Sequence, residues 1–520
     1  MSENYRVLKA AGVVGSATLL SRILGFIRDA VIAWYFGAGF SSDAFIAAFR
    51  IPNLLRRLFA EGSFSSAFIP VFSEYLVKQG KTDAFKLARS ALRFLSAFLV
   101  IAALIGVLLA PWIVRIIAPG FGESKLALTV TLTRIMFPYI FFIGLVALCM
   151  GILNVMGHFA APALAPVFLN ISIIGSIFVI SPKMATPVIG LALGVLIGGV
   201  LQLLVQIPFL LRMGFRFWEK TKLFHPGLKR VGVLLPPIIL GGAVYQINIL
   251  LGTLLGSLLS EGSVTYLYFA DRLVQFPLGI FAFAAATAVL PSLSRQAAAN
   301  DMNGLRETFS QAIKLVFFIT IPAMLGLIIL REPIVALLFQ RGEFDATATR
   351  LTAQGLLYYC IGLWAFSAVR IVTATFFALQ DTRTPVKTAA VSIFANVLLG
   401  IILMKPLDHG GLALATSLAS ILNLGLLVRA LRMNLGSLGW RSIAHSICKT
   451  SICSVIMAIG VWCAALFIVP TDNRTLLNLF WGVGGCIVAG LCIYGVSSFF
   501  IKSPELDSVM AAVKKGIRKK

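Results

Sequence analysis

Apolar runs of about 20 residues recur from one end of the chain to the other, and a run of that length crosses the hydrocarbon core of a bilayer as a helix. The composition agrees. Of 520 residues, 59% are hydrophobic and 12% charged, with a mean hydropathy of +0.95, more apolar surface than a water-soluble core can enclose. Fourteen spans are expected, at about 8–36, 43–77, 87–114, 127–155, 160–181, 187–211, 231–256, 264–294, 308–330, 351–379, 385–404, 410–430, 442–469 and 476–501, leaving no room for a soluble domain. The fold class is all-α polytopic membrane protein. The first run outlasts a signal-peptide core and meets no small-residue cleavage site, so it reads as a retained span.

A formal charge of +24 would suit nucleic acid, but its distribution points elsewhere. Connecting segments and span ends on the side of the N-terminus, the 78–89 loop, the 212–230 loop and the C-terminal tail hold 25 Lys and Arg; the other side holds 8. That asymmetry is the positive-inside signature and places both termini in the cytoplasm. The remaining 11 basic residues lie within spans or at their ends, and Arg93, Lys314 and Lys449 can snorkel.

The chain also resembles itself. AFIPVFSEYL (67–76) matches AVLPSLSRQA (288–297), Pro111 falls over Pro333, Pro162 over Pro385, and GLALGVLIGGVLQLL (190–204) over GLALATSLASILNLG (411–425), at an offset that stays between 221 and 223. Each unit holds six spans, an even number, so both enter from one side as parallel repeats, an arrangement that places a transporter's binding site between the halves. Spans 13 and 14 are an addition.

Charges inside the spans need an account. SRILGFIRDAVIAWYFG (21–37) carries Arg22, Arg28 and Asp29; span 2 carries Asp43, Arg56, Arg57 and Glu61; span 8 carries Asp271 and Arg272. A central Arg costs roughly 2.5–3.5 kcal/mol on insertion scales, so Arg22, Arg28, Arg56, Arg57 and Arg272 together would cost on the order of 12–17 kcal/mol uncompensated. They are expected to face one water-filled cavity. Gly25 would let span 1 bend and turn both of its arginines inward. Against Asp29, Glu61 and Asp271 the surplus is positive, and guanidinium forks match phosphate oxygens. The bland reading is a set of structural ion pairs pinning span 1 to spans 2 and 8.

Other signals are weaker. GKT (80–82) lacks the earlier glycine of a phosphate loop, since Tyr75 stands there. The basic, aromatic segment 212–230 reads as an interfacial helix on anionic lipid rather than a nucleic-acid site. Four scattered histidines, seven cysteines without a CxxC pair, and no two adjacent acids suggest neither zinc, disulfides nor a magnesium diphosphate site. No metal and no cofactor is expected.

The stretches SRILGFIRDAVIAWYFGAG, DAFIAAFRIPNLLRRLFAEGSFSSAFIPVFSEY, APGF, FPYI, YFADRLVQFPLG and LPSLSRQ resemble the bacterial lipid II flippases, the MurJ/MviN family, over essentially the whole chain. That family belongs to the superfamily of multidrug (MATE) and polysaccharide-lipid exporters. The resemblance implies a fourteen-helix fold: an N-lobe (1–211), a cytoplasmic amphipathic loop (212–230), a C-lobe (231–433), a helix pair with a groove for the polyprenyl tail (434–501) and a basic tail (502–520). It implies Arg22, Arg28 and Arg272 as the diphosphate-binding set, Asp43 as the family's acid near the start of the second helix, and Arg56, Arg57 and Glu61 as a gate-forming loop. Asp29 and Asp271 complete the cavity set. Gln275 stands where the family has an acid, which removes a basis for proton coupling there. The implied partner is lipid II, handled by a monomer in the inner membrane among membrane lipids and cell-wall synthesis proteins. The implied mechanism is alternating access, without enzymatic chemistry, biased by the membrane potential or a monovalent cation.

Two other transport readings stand beside it, export of another polyprenyl-diphosphate glycan and cation-coupled drug exchange. A membrane glycosyl- or phosphotransferase would need clustered acids or a long catalytic loop, and the sequence has neither. Complementation of a flippase-depleted bacterium separates the readings. Arg22→Ala, Arg28→Ala or Arg272→Ala is expected to abolish growth; under drug exchange, Asp29→Asn or Asp271→Asn would do more harm.

Overall fold

The computed structural model describes the backbone of residues 3–58, 64–222, 224–469, 475–507 and 510, with side chains throughout except 3–11, 236–245 and 280. Among the described residues the chain is helical and contains no strand. It divides into two compact units, Met1–Thr265 and Tyr266–Lys520.

The first unit comprises α1 (Glu3–Phe36), α2 (Phe40–Leu58), α3 (Phe64–Lys78), α4 (Gly80–Ile117), α5 (Glu123–Met136), α6 (Tyr139–Val155), α7 (Ala160–Val179), α8 (Val188–Leu204), α9 (Ile207–Arg212), α10 (Pro226–Ser257) and the start of α11 (Ser263–Pro277). α1 lies along α7, α2 along α5, and α3, α4 and α6 pack together. Phe64, Phe68 and Phe72 recur one turn apart, stack at 5.6 and 5.3 Å, and are buried, so α3 turns an aromatic face into this core. His225 caps α10, accepting from the Gly227 N–H through Nδ1 at 3.2 Å. Burial pushes its imidazole pKa below the ordinary value, with partial opposition from Asp83.

The second unit holds the rest of α11, a π turn (Leu278–Ala282), α12 (Phe283–Ala298), α13 (Met302–Ile329), α14 (Arg331–Phe339), α15 (Ala346–Ile361), α16 (Leu363–Ala378), α17 (Arg383–Leu407), α18 (His409–Leu435), α19 (Trp440–Ile468) and α20 (Leu476–Phe500). Its main core joins α12, α13, α16 and α18 through Leu293, Phe309, Val372, Phe376 and Leu427. α19 packs on α13, α20 packs on α19, and the Tyr494 hydroxyl donates to the Phe318 carbonyl at 2.7 Å. A groove of about 470 Å³ runs over this pair, lined by Ile456, Cys492, Ile493, Val496, Phe500 and Ile501.

The duplication reappears in the helix starts. Phe40 corresponds to Ser263, Gly80 to Met302, Glu123 to Ala346, Ala160 to Arg383 and Val188 to His409, again at offsets of 221 to 223. A shared packing detail reinforces the match. A Cβ on Gly190 would stand 2.7 Å from the Ser181 nitrogen, and one on Gly411 would stand 2.1 Å from the Leu403 carbonyl oxygen. The α7–α8 and α17–α18 hairpins are therefore each closed backbone against backbone, at the glycine that begins GLAL in both repeats.

Among the described residues nine segments are long and apolar enough to cross a membrane, or ten if α15 and α16, bent by 44°, count as one span. α1, α2–α3, α10 and α11–α12, expected as spans 1, 2, 7 and 8, are not among them. Each of these four segments contains residues outside the described set, at 3–11, 59–63, 236–245 and 280 respectively. The segment 213–225 contains no helix among its described residues, where an interfacial one was expected. α1 is continuous through Gly25, where an added Cβ would lie 3.8 Å from the Asn170 amide nitrogen.

Gly411→Ala is expected to destabilise the chain by about 1–3 kcal/mol, as overpacking does. Gly425→Ala, with open space around it, is expected to be neutral or mildly stabilising. Thermal unfolding of the detergent-solubilised protein checks the pair; equal midpoints would refute the close approach.

Candidate functional site

Arg28 sits on the face of α1 that meets α7, and both it and Asp29 are buried. Its Nε and Nη2 donate to the same carboxylate oxygen of Asp29, at 3.0 and 2.6 Å, and its Nη1 donates to Asn170 Oδ1 at 3.0 Å. Asn170 is itself fixed, because its Nδ2 donates to the Ser21 carbonyl at 3.1 Å. One side-chain amide thus ties α7 to α1 at two points and orients the guanidinium between them. The charge is compensated locally, as an arginine in an apolar span requires.

Arg22 differs. It is exposed, and among the described residues it forms no hydrogen bond and no ion pair. Its neighbours Leu19, Leu20, Ile23 and Ile27 are exposed apolar side chains. Among the described residues none compensates this guanidinium, which leaves it open to water or to an anion.

A second cluster surrounds Asp43, which is 2% exposed in the first turn of α2. Its Oδ2 accepts from the Gly262 N–H at 2.8 Å, and its Oδ1 accepts from the Thr265 N–H at 3.0 Å and the Thr265 hydroxyl at 2.7 Å. These are donors of the first turn of α11, so the carboxylate caps that helix where its dipole is positive. Lys125 completes the site, with Nζ 3.2 Å from Asp43 and 3.6 Å from Glu261, above the rings of Phe121 and Phe40. Asp43 and Thr265 are separated by 222 residues, within the repeat offset, so the carboxylate is held by the start of its own helix's counterpart.

Near the end of α2, Arg56 donates through Nε and Nη2 to Asn53 Oδ1, at 3.2 and 3.0 Å. Arg57 is half-buried one residue on, and Glu61, expected to pair with it, lies outside the described residues. In the second unit Arg272 donates to the Tyr268 hydroxyl at 2.9 Å with its guanidinium 4.9 Å from that ring's centre. Asp271 accepts a short bond from the Gln275 amide. Gln275 therefore serves this carboxylate as a neutral donor.

The structure adds Asn170, Lys125, Thr265 and Tyr268 to the residues expected from sequence. Asn170 had a readable signal, a single amide inside the apolar run AAPALAPVFLNISIIG, and Thr265 had the repeat offset from Asp43. Among the described residues no three His, Cys, Asp or Glu side chains group as metal ligands.

Comparison with known proteins places these residues in context. A family model described as lipid II flippase MurJ matches residues 32–476. A "Probable lipid II flippase MurJ" of Vibrio cholerae is 38% identical over 507 residues, covering 95% of each chain. A "Lipid II flippase MurJ" of Burkholderia cenocepacia is 36% identical over 498 residues, covering 94% of this chain and 96% of that one. The solved structure titled lipid II flippase MurJ, inward closed conformation, matches with a TM-score of 0.79 at 29% identity, over 94% of this chain and 98% of that one. An inward-facing MATE multidrug transporter matches at 0.68 and 17% identity, over 82% of this chain and 98% of that one, a likeness of fold alone.

Asp43→Asn leaves the Lys125 ammonium without its buried partner, and such a loss costs about 3–5 kcal/mol. Thr265→Val removes one hydrogen bond to a charged group, about 1.5–3 kcal/mol. Thermal unfolding in detergent is expected to show the larger drop for Asp43→Asn. Indistinguishable midpoints would contradict the cluster as drawn.

Proposed function

The chain belongs to the MurJ family of lipid II flippases, and from that premise we propose how its own residues act on the cargo. It is a multi-pass membrane transporter that carries lipid II, the lipid-linked peptidoglycan precursor, from the inner to the outer leaflet by alternating access. The diphosphate is bound by Arg22, Arg28 and Arg272. The observation that carries this assignment is Arg22, a guanidinium on an apolar helix with no protein partner among the described residues. A phosphate oxygen supplies the compensation that no described residue gives.

Asp29 and Asp271 orient the arginines beside them. Asp43, holding the first turn of α11, acts as a latch that forms and releases during the cycle, and Arg56, Arg57 and Glu61 form a gate near the end of α2. The apolar groove over α19 and α20 takes the polyprenyl chain, whose hydrocarbon has no need of polar contacts. No covalent bond changes in the cycle. The protein works as a monomer in the inner membrane with both termini cytoplasmic, alongside cell-wall synthesis proteins.

Direction follows from charge. With the cell interior negative, each negative charge moved outward gains about 2.3 kcal/mol per 100 mV, so the cargo's own charge lets the potential favour export; a monovalent cation is the alternative coupling. In proteoliposomes carrying fluorescent lipid II, export is expected to quicken at an interior-negative potential and to slow when the potential is inverted. Each of Arg22→Ala, Arg28→Ala and Arg272→Ala is expected to cut the rate at low substrate by about tenfold to a hundredfold, the worth of a charge-assisted hydrogen bond. A rate indifferent to potential, or arginine variants at full rate, would refute the scheme.

A further inference from the structure

The segment between α9 and α10 is irregular yet firmly held. Arg89, buried on α4, donates to the Arg216 carbonyl at 3.4 Å and makes a short ion pair with Glu219. Arg93, one turn further along α4, donates to the Thr221 carbonyl and, at 2.7 Å, to the Glu219 carbonyl. Phe215 is fully buried, its ring edge-on to Phe85 at 5.3 Å. Two arginines and one aromatic anchor thus fix the backbone of a stretch without secondary structure.

What this scaffold turns outward is specific. Trp218 is 70% exposed and Phe224 is 72% exposed. The Phe224 ring lies 6.3 Å from that of Phe94, and Phe94 and Phe98, four residues apart on α4, are exposed members of an apolar span. The aromatic tip therefore continues the lipid-facing stripe of α4, and Trp at such a position is an interfacial residue type. Beside it stand the exposed cations Arg216, Lys220 and Lys222. Glu219 is the single acid in 212–230 and is engaged by Arg89. Lys220 and Lys222 have no partner among the described residues.

We infer that residues 215–222 and 224, clamped to α4 by Arg89 and Arg93, form a binding site for anionic phospholipid headgroups. Lys220, Lys222 and Arg216 take the phosphate, while Trp218 and Phe224 seat at the junction of headgroup and acyl chain. Continuity with the lipid-facing stripe of α4 favours a membrane lipid over an acidic protein, because a protein partner would have to compete with the bilayer for the same aromatics.

The full chain in phosphatidylcholine nanodiscs provides the test. The fluorescence of Trp218 is taken as the difference between the native protein and Trp218→Phe. Brominated phosphatidylglycerol is expected to quench this signal at several-fold lower mole fraction than brominated phosphatidylcholine. Lys220→Gln and Lys222→Gln are each expected to lower that preference by about fivefold at low ionic strength, and high salt to do the same. Both lysines are exposed surface residues, so their loss leaves the fold intact. Equal quenching by the two lipids, a preference unchanged in the double variant, or a Trp218 that neither lipid quenches would overturn the site.

Discussion

A guanidinium on a helix that crosses hydrocarbon must be compensated, and the ways this chain does so account for much of its architecture. Arg28 is compensated within the fold, by the neighbouring carboxylate and by an amide that α7 contributes. Arg272 leans on an aromatic hydroxyl one turn away. Arg22 has no such arrangement among the described residues. The three cations are thus compensated to different degrees among the described residues. Full pairing inside the protein would leave no guanidinium available to an anion, and no pairing at all would make the helices too costly to keep in the membrane.

The same economy of charge appears at Asp43. A carboxylate at the start of one helix caps the start of its repeat counterpart and is neutralised by Lys125, so the duplication is used as a joint as well as an architecture. Capping contacts of this kind are local and directional. They can be broken without repacking a core, which an apolar interface of similar strength could not offer.

Much of the fold was legible because membrane helices advertise themselves by length and hydropathy, and because the 221–223 offset survives in Pro111, Pro162 and the GLAL glycines. The candidate site was partly legible for the opposite reason, since Arg22, Arg28, Asp43 and Arg272 stand out against apolar surroundings. Their partners were harder to see. Asn170, Thr265 and Tyr268 are ordinary residues whose importance comes only from the helix they face, and Lys125 reads as a connecting-segment cation until its position over two rings and a carboxylate is known. The irregular course of 213–225 was hidden because basic and aromatic residues alternate there much as in an interfacial helix; the arginines that override helicity lie more than 120 residues away.

The widened turn at Leu278–Ala282 follows directly after Pro277, where the missing N–H has already freed a carbonyl from the helical ladder. A turn of that kind holds one residue more than its neighbours, and each residue of an α-helix advances the azimuth by about 100°. Losing a single residue there would leave α11 and α12 joined and still helical, but with every side chain from Phe283 onward swung round the axis relative to Arg272. Length in this short segment is thus a setting of angle: the bulge decides which faces of the two half-helices look the same way.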